Sequence, residues 1–324
     1  MPYLSENFKT SNGLSDNFVK SLLCDSRGII WIGTAVGLDY YDGYRIHHCP
    51  ISEYVSSKYV TSIIEDKAGK IWFSTTRELV CIDLKTGSVR NIEMDLGPLP
   101  NLTRLALSPT GEIWVPFDKK GLLKIDTGTL KVSHSDCPLK AVDFDEDGTT
   151  YGVLDDNTII TSKDYCESYT PLFEDFNPFD GKKIVSIIHA GDFLFTGIQD
   201  FVTIIRTKDR RLYNKPWIYI ADASAAEDGT VWVATNNGIY HADSLMNEVG
   251  HYSYDEGTIP DNATKSICLD KTGGIWIGTY FEGLCHLCPN TAEIELAQPF
   301  NNHKTRVLPI VRDNQGKIWL GTET

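Results

Sequence analysis

The chain of 324 residues has a net charge of −14, with 44 acidic against 30 basic residues, and 41% of its residues are hydrophobic. The hydrophobic fraction supports a packed core, and no apolar run reaches the roughly 18 residues that a membrane-spanning helix needs. The sequence has no basic stripe of the kind that a phosphate-binding surface requires, so we expect no nucleic-acid partner.

A short motif recurs along the whole chain. A large side chain follows a glycine by three residues in each copy, and successive copies lie 37 to 44 residues apart. Short β-type segments with this period are typical of a β-propeller, in which each repeat forms one four-stranded blade. The slot is occupied by Trp31, Trp72, Trp114, Trp232, Trp276 and Trp319, and in two weaker copies by Tyr151 and Leu194.

One repeat illustrates how a blade is read from the sequence. Segments 264–269, 274–279 and 284–287 have the composition of strands, and a fourth strand is expected near 293–296. The first two are joined by an Asp-x-x-Gly turn, in which Asp270 can accept backbone N–H groups and Gly273 accepts a positive φ. We interpret the slot tryptophans as packing between neighbouring blades, and the small residue two positions later as leaving room at the inner end of the blade.

The first strands of successive blades are predicted near 17–24, 59–65, 102–107, 139–144, 183–188, 218–224 and 264–269. An eighth begins near 306, and the chain stops after one more predicted strand. The prediction is an all-β protein: a seven-bladed β-propeller of four-stranded antiparallel blades in residues 1–300. Residues 301–324 would form the truncated start of a further repeat or part of the closing blade. We expect residues 3–10 to complete the final blade, with residues 293–297 as the competing candidate.

Ligands of propellers usually meet one mouth of the central channel, where the loops between second and third strands lie. Polar and aromatic residues of these loops offer hydrogen bonds and ring faces to a sugar. The residues predicted from these loops are Arg77, Glu78, Asp118, Lys119, Asp156, Gln199, Asn236, Asn237, Tyr280, Phe281 and Glu282. Trp217, outside the repeat slot, is the preferred stacking residue; the alternative is a ring packed beneath the connection between blades five and six.

Two motifs raise the question of a metal. Cys285-His286-Leu287-Cys288 resembles a metal knuckle, but positions i and i+3 of a strand point to opposite faces. Asp143 to Gly148 copies the first six positions of a calcium loop, yet Leu154 stands where the bidentate glutamate belongs. We therefore expect no metal and no cofactor. The eight cysteines show no disulfide-framework spacing and do not indicate a compartment.

Residues 25–43 read Asp-Ser-Arg-Gly-Ile-Ile-Trp-Ile-Gly-Thr-Ala-Val-Gly-Leu-Asp-Tyr-Tyr-Asp-Gly, and residues 270–284 repeat most of this pattern. The pattern resembles the two-component regulator propeller repeat, and the resemblance covers essentially the whole chain. It implies the periplasmic sensor region of a hybrid two-component sensor kinase of polysaccharide-using gut bacteria, with an oligosaccharide as ligand. The partners implied are the remaining domains of the same receptor, and the full-length receptor would be a homodimer. The full-length protein would be a histidine kinase, whereas this chain would catalyse nothing.

Two other functions remain open at the level of sequence. A propeller lyase of the streptogramin-inactivating type shares related repeats, and it would need a metal and a general base at the channel mouth. A protein-interaction scaffold is also compatible with the fold, because a fold does not determine a function.

Overall fold

The computed structural model describes residues 3–94, 104–117, 121–174, 178–179, 183–198, 202–217, 219–289, 306–312 and 318–323. The chain divides into a large unit, Tyr3–Pro289, and a small unit made of Met1–Pro2 and Asn290–Thr324. The large unit is a seven-bladed β-propeller, which confirms the predicted fold class. Its seven sheets are all four-stranded and antiparallel within the described ranges, where a 3-10 turn at Thr10–Asn12 is the only helical element.

The strands follow one another from the centre of the propeller outward in every blade. Strand β1 (Tyr3–Phe8) precedes the first blade, which contains β2 (Val19–Cys24), β3 (Ile30–Thr34), β4 (Leu38–Tyr41) and β5 (Ile46–His48). The second blade contains β6 (Val60–Glu65), β7 (Ile71–Thr75), β8 (Leu79–Asp83) and β9 (Ser88–Ile92). The third contains β10 (Ala106–Leu107), β11 (Glu112–Phe117), β12 (Gly121–Asp126) and β13 (Val132–Ser135).

The remaining blades repeat this order. The fourth contains β14 (Leu139–Phe144), β15 (Thr150–Leu154), β16 (Ile159–Ser162) and β17 (Thr170–Pro171). The fifth contains β18 (Ile184–Ala190), β19 (Phe193–Ile198), β20 (Val202–Arg206) and β21 (Leu212–Lys215). The sixth contains β22 (Ile220–Ala225), β23 (Val231–Thr235), β24 (Gly238–Ala242) and β25 (Glu248–Tyr252). The seventh contains β26 (Thr264–Leu269), β27 (Ile275–Thr279) and β28 (Leu284–Pro289). The small unit holds an antiparallel hairpin of β29 (Arg306–Arg312) and β30 (Ile318–Glu323).

The amino-terminal strand closes the ring. Strand β1 pairs antiparallel with β28, from Tyr3 opposite Pro289 to Phe8 opposite Leu284, and becomes the outer strand of the seventh blade. The prediction that residues 3–10 complete this blade is therefore confirmed, and the competing segment 293–297 lies outside the described residues. Because the sheet of blade seven combines β1 from the start of the chain with β26 to β28, β28 keeps no unpaired outer edge and the ring is closed.

Seven hydrophobic clusters hold neighbouring blades together, one at each junction. The cluster between blades seven and one unites Trp276 and Leu284 with Leu22 and Ile30. The slot tryptophans of blades one, two, three and six are also at most 3% exposed and pack against the next blade. The interpretation of these rings as filling between blades is thus confirmed for the propeller. Trp319, in the small unit, is 63% exposed.

In three blades the slot ring is also anchored by a polar contact that the sequence pattern did not reveal. In blade seven, Oδ1 of Asp270 accepts the N–H groups of Thr272 and Gly274, and Oδ2 accepts the indole N–H of Trp276 at 2.9 Å. Asp25 binds Trp31 and Asp66 binds Trp72 in the same way, at 3.0 and 2.9 Å. A single carboxylate therefore fixes both the turn and the interblade ring.

Blade five departs from the predicted alignment. The prediction placed Leu194 in the slot, but strand pairing sets Phe195 opposite Ile188, the position that Trp31 occupies opposite Leu23. Phe195 is fully buried and packs at the junction with blade six. The first two strands of this blade join through only Gly191 and Asp192, so counting from the glycine gave a position one residue too early.

Glycine is required where two blades converge near the axis. A Cβ on Gly33 would lie 2.7 Å from Val60 of the next blade, and one on Gly278 would lie 2.6 Å from Val19. These distances are shorter than any ordinary carbon contact, so a side chain at either position would push the inner strands apart. The expected need for a small residue at the inner end is confirmed at both positions.

We expect Ala226→Asp to stabilise the propeller. Ala226 replaces the usual turn aspartate in blade six, and the buried Nε2 of His241 beside Trp232 has no hydrogen-bond partner among the described residues. An added carboxylate would supply acceptors as Asp270 does in blade seven, worth about 1 kcal/mol or a rise in Tm of about 2–4 °C. Thermal unfolding at 0.15 M salt tests this. The reciprocal substitution Asp66→Ala should lower Tm. If Ala226→Asp does not raise Tm and Asp66→Ala does not lower it, the role assigned to the turn carboxylate is wrong.

Deletion of residues 1–8 should destabilise the propeller and promote association. The deletion removes the pairing of β1 with β28 and the buried ring of Phe8, with a cost of at least about 3 kcal/mol. Thermal unfolding and size-exclusion chromatography measure the two effects. Leu4→Ser is the control, because the Leu4 side chain is 60% exposed and the substitution keeps the strand. A truncated protein as stable and monomeric as the control would show that β1 does not close the ring.

Candidate binding site at the channel mouth

The inner strands of the blades surround a central channel with a volume of about 310 Å³. Each inner strand enters from the face that carries the loops between second and third strands, here called the upper face. The opposite, lower face carries the Asp-x-x-Gly turns. The residues at the start of each inner strand therefore line the upper mouth of the channel.

The channel concentrates positive charge in a protein that is acidic overall. The charged side chains of its described lining are Lys20, Arg104, Asp143, Asp222 and Lys265. Three cations against two carboxylates leave the lining with one net positive charge, in a chain whose formal charge is −14. A small enclosed space with this balance attracts anions, and the surrounding protein strengthens the field within it.

The two carboxylates of the channel lining already accept hydrogen bonds from other groups of the protein. The carboxylate of Asp222 accepts a hydrogen bond from the guanidinium group of Arg104 at 2.5 Å. It also accepts the backbone N–H of Ala223 and that of Ile267 in the next blade. Asp143 receives the N–H of His189, also in the next blade, at 2.9 Å. The backbone contacts tie neighbouring inner strands together, and the Arg104 contact joins blade three to blade six across the channel. Both carboxylates therefore serve first as structural links between blades.

The two lysines stand at equivalent positions in adjacent blades. Lys20 and Lys265 are each the second residue of an inner strand, in β2 and β26, which pack side by side. Burial lowers the pKa of Lys20, an effect that Asp222 opposes and Arg104 reinforces. Burial also lowers the pKa of Lys265, and the neighbouring Lys20 adds to the shift. Both ammonium groups are thus partly removed from water.

Aromatic rings border the mouth above these charges. Phe18, Tyr59 and Tyr219 each come directly before an inner strand, and Tyr280 projects from the second loop of blade seven. The ring of Phe18 lies 4.5 Å from that of Tyr280 and 5.7 Å from that of Tyr59. Burial raises the pKa of Tyr59, and Tyr280 and Tyr219 raise it further, so three tyrosine hydroxyls share this region.

Three of the predicted site residues meet at this mouth. The amide oxygen of Asn236 accepts a hydrogen bond from Lys265 at 2.9 Å, and the same ammonium group lies 5.4 Å from the ring of Tyr280. Phe281 packs edge-on against Tyr280 and is 64% exposed. Asn236, Tyr280 and Phe281 therefore form the rim of the mouth over blades six and seven.

Other predicted residues serve the loops in which they lie. Glu78 accepts the N–H of Ser56 and the hydroxyl of Thr75, and these contacts hold the connection between blades one and two. Burial acts to raise the pKa of Glu78, but the hydrogen bonds from Ser56 and Thr75 outweigh burial and lower it. Asp156 accepts the N–H of Thr158 within its turn.

The remaining predicted residues have varied surroundings. Asn237 donates to the hydroxyl of Tyr240, and Glu282 pairs with Lys9. Arg77 is an exposed side chain of the second-blade loop. Asp118, Lys119 and Gln199 lie outside the described residues.

Trp217 lies in the core. It is 1% exposed, and its ring stacks on Tyr240 at a centroid distance of 4.8 Å within the cluster between blades five and six. In this arrangement neither ring face is available to a ligand. The placement agrees with the alternative interpretation, a ring packed beneath the connection between these blades.

In each of the two motifs considered for metals, the residues make separate contacts within the protein and do not converge on one point. Cys285 is fully buried next to Ser5, whereas Cys288 lies 3.2 Å from His286 on the other face of β28. Asp143 faces the channel, while Asp145 caps a turn and accepts the hydroxyl of Tyr151. Within the described ranges, no group of three or more histidine, cysteine or acidic residues is arranged to hold a metal ion.

Histidine–carboxylate pairs occur on the upper face, away from the channel lining. His251, on an outer strand, lies 3.7 Å from Glu256 and also contacts the carbonyl of Asn237. His48 lies 2.8 Å from Asp39 and 2.9 Å from Ser15, but both contacts involve the same ring atom, Nδ1. The His48 ring therefore does not bridge the hydroxyl and the carboxylate as a nucleophile–base–acid relay requires.

Sequence reasoning missed the residues inside the channel, although a signal for them was present. The inner strands were predicted near their observed positions, and Lys20, Asp222 and Lys265 interrupt those strands with charge. A charged side chain on the innermost strand of a propeller faces the channel, because the alternative is burial in the apolar space between blades. The aromatic residues directly before three inner strands were a second signal.

The repeat pattern identifies related proteins. Three segments, residues 13–35, 54–77 and 258–281, match the family model described as "Two component regulator propeller". The resemblance to this repeat is thus confirmed for these three segments. The curated proteins give no significant match. In the described part of the chain, no helix has the length and apolar character needed to cross a membrane.

Solved structures share the fold. The extracellular domain of a one component system from B. thetaiotaomicron has a TM-score of 0.72 at 16% identity, over 98% of this chain and 44% of that one. The extracellular domain of a hybrid two component system from the same organism has a TM-score of 0.68 at 22% identity, over 99% and 47%. Virginiamycin B lyase from Staphylococcus aureus gives 0.68 at 16% identity, over 88% and 99%. The chain thus spans less than half the length of the two sensor domains.

Asp222→Ala should destabilise the ring by about 2–3 kcal/mol, because it removes charge-assisted hydrogen bonds from Arg104 and the backbone of the next blade. Asp209→Ala is the control: Asp209 also pairs with an arginine, Arg206, but the Asp209 side chain is 44% exposed, against 12% for Asp222. The control should change the free energy of unfolding by less than about 1 kcal/mol. Urea unfolding measures both variants, and equal effects would contradict a linking role for Asp222.

Proposed function

We propose that this chain is the extracytoplasmic ligand-binding propeller of a hybrid two-component receptor, and that its ligand is an oligosaccharide. The observation that carries the proposal is the channel mouth, where aromatic rings surround a polar, charged opening. The rings of Phe18 and Tyr280 lie 4.5 Å apart at the rim, and Asn236 and Lys265 form a hydrogen-bonded pair beside them.

This combination suits the two sides of a sugar. A pyranose presents C–H bonds on its faces and hydroxyl groups around its edge. Tyr280 is 42% exposed and offers a ring face or edge to the C–H side, while tyrosine hydroxyls and the Asn236 amide offer donors and acceptors to the edge. The scaffold beneath is rigid because neighbouring inner strands are linked, and a preformed site loses little conformational entropy on binding.

The receptor context is supported by the repeats of the two component regulator family and by the fold shared with sensor domains. In this proposal the chain lies in the periplasm and catalyses nothing itself. The remaining domains of the same receptor would include a histidine kinase, and the full-length protein would be a homodimer. Ligand binding would bias signalling only if the two arrangements of the dimer differ in affinity for the ligand.

We expect Tyr280→Ala to weaken oligosaccharide binding about tenfold, since loss of one stacking contact is worth about 1–1.5 kcal/mol. Screening the 324-residue chain against an array of neutral and acidic oligosaccharides, followed by isothermal titration of those that bind, provides the measurement. Tyr44→Ala is the matched control: Tyr44 is 92% exposed and lies on the lower face, so its removal should leave the affinity unchanged.

Two results would overturn this proposal. Binding that is equally insensitive to Tyr280→Ala and Tyr44→Ala would place the ligand elsewhere on the chain. An array on which no oligosaccharide binds, together with cleavage of a streptogramin B antibiotic by the chain, would favour the lyase function instead.

A further inference from the structure

We infer that the ligand is acidic: a carboxylate of a uronic or sialic acid unit pairs with the Lys20 ammonium group in the channel mouth. The inference rests on the proposed function and specifies the chemical class of the oligosaccharide. It is drawn from the charges inside the channel, whereas the proposed function depends on the aromatic rim.

Lys20 is the cation of the channel that lacks a hydrogen-bonding partner. Arg104 is engaged by Asp222 at 2.5 Å, and Lys265 by Asn236 at 2.9 Å. No acceptor lies within hydrogen-bonding distance of the Lys20 ammonium group among the described residues. Burial lowers its pKa, as expected of a cation that has lost water without gaining a full counter-ion.

The nearest carboxylate cannot supply that partner fully. Both oxygens of Asp222 are already hydrogen-bonded, Oδ1 to Arg104 and to the N–H of Ala223, and Oδ2 to the N–H of Ile267. Asp143 is likewise held by the backbone of Phe144 and His189. One positive charge of the lining is therefore uncompensated. The carboxylate of a ligand would neutralise this charge and accept hydrogen bonds from the three N–H groups of the Lys20 ammonium group.

The position of Lys20 fits a ligand that stacks on the rim. Lys20 follows Phe18 by two residues, so its ammonium group lies just inside the mouth at which the rings of Phe18 and Tyr280 meet. A sugar ring can contact these rings while its carboxylate points into the channel. The volume of about 310 Å³ is at the small end of ligand sites, which suits a terminal sugar unit rather than an internal stretch of a chain.

The test compares carboxylated oligosaccharides with their carboxyl-reduced counterparts. The panel contains oligogalacturonates, alginate trimers, unsaturated chondroitin disaccharides and 3′-sialyllactose, each titrated into the 324-residue chain by calorimetry. At least one acidic member should bind at least tenfold more tightly than its reduced form. Sodium acetate and inorganic phosphate in separate titrations distinguish a carboxylated sugar from a free anion.

Substitutions assign the effect to one side chain. Lys20→Met removes the charge and keeps much of the aliphatic stem, so affinity for the acidic ligand should fall at least tenfold while affinity for the reduced form stays the same. Lys20→Arg should restore most of the binding. Lys85→Met is the matched control, because it removes one positive charge from an exposed turn of blade two. Circular dichroism and Tm confirm that each variant is folded.

The outcomes separate this inference from the proposed function. Neutral oligosaccharides that bind as well as acidic ones, or a Lys20→Met variant that binds like the Lys85→Met control, would overturn the inference and leave the proposed function intact. Tighter binding of acetate or phosphate than of any sugar would also overturn it. Failure of every oligosaccharide on the wider neutral and acidic array would overturn both.

Discussion

The packing of a slot ring between neighbouring blades, with a hydrogen-bond acceptor for its polar atom, is the constraint on which the propeller depends. A propeller blade must bury a large ring against its neighbour, yet an indole carries an N–H group that cannot be left without an acceptor. In blades one, two and seven the turn aspartate supplies this acceptor within six residues of the ring. The same carboxylate holds the turn, so the orientation of the ring and the entry angle of the second strand are set together.

Blades that lack either the tryptophan or the aspartate of this pair show which contacts replace it. In blade three the turn begins with Ser108, and Trp114 donates instead to Glu112 at 3.2 Å. In blade four Tyr151 reaches Asp145 through its hydroxyl. In blade six Ala226 offers no carboxylate, and the buried His241 nitrogen beside Trp232 keeps no partner in the described structure. The repeat therefore tolerates different rings as long as most junctions pair a ring with an acceptor.

The close packing of neighbouring blades also shapes the candidate site. Gly33 and Gly278 let neighbouring blades approach closely near the axis. Charged residues placed there are forced into a shared channel, where Asp222 and Arg104 link blades and Lys20 and Lys265 face the mouth. Aromatic residues next to the same strands then surround the opening. The candidate site is thus a consequence of how the wedges close, centred on blades six, seven, one and two.

The sequence alone determined the blade count, the strand order, the role of the slot rings and the closing strand, because these follow from periodicity and from the need to pair every edge. It also placed Asn236, Tyr280 and Phe281 on the correct loops. The tertiary structure alone decided that Trp217 lies in the core, that Phe195 takes the slot of blade five, and that Lys20, Arg104, Asp222 and Lys265 meet in one channel. The physical reason is that local pattern specifies which face of a strand is buried. The closed ring decides which residues from separate blades converge on the axis. It also decides whether each charged side chain there has a neighbouring group of opposite charge.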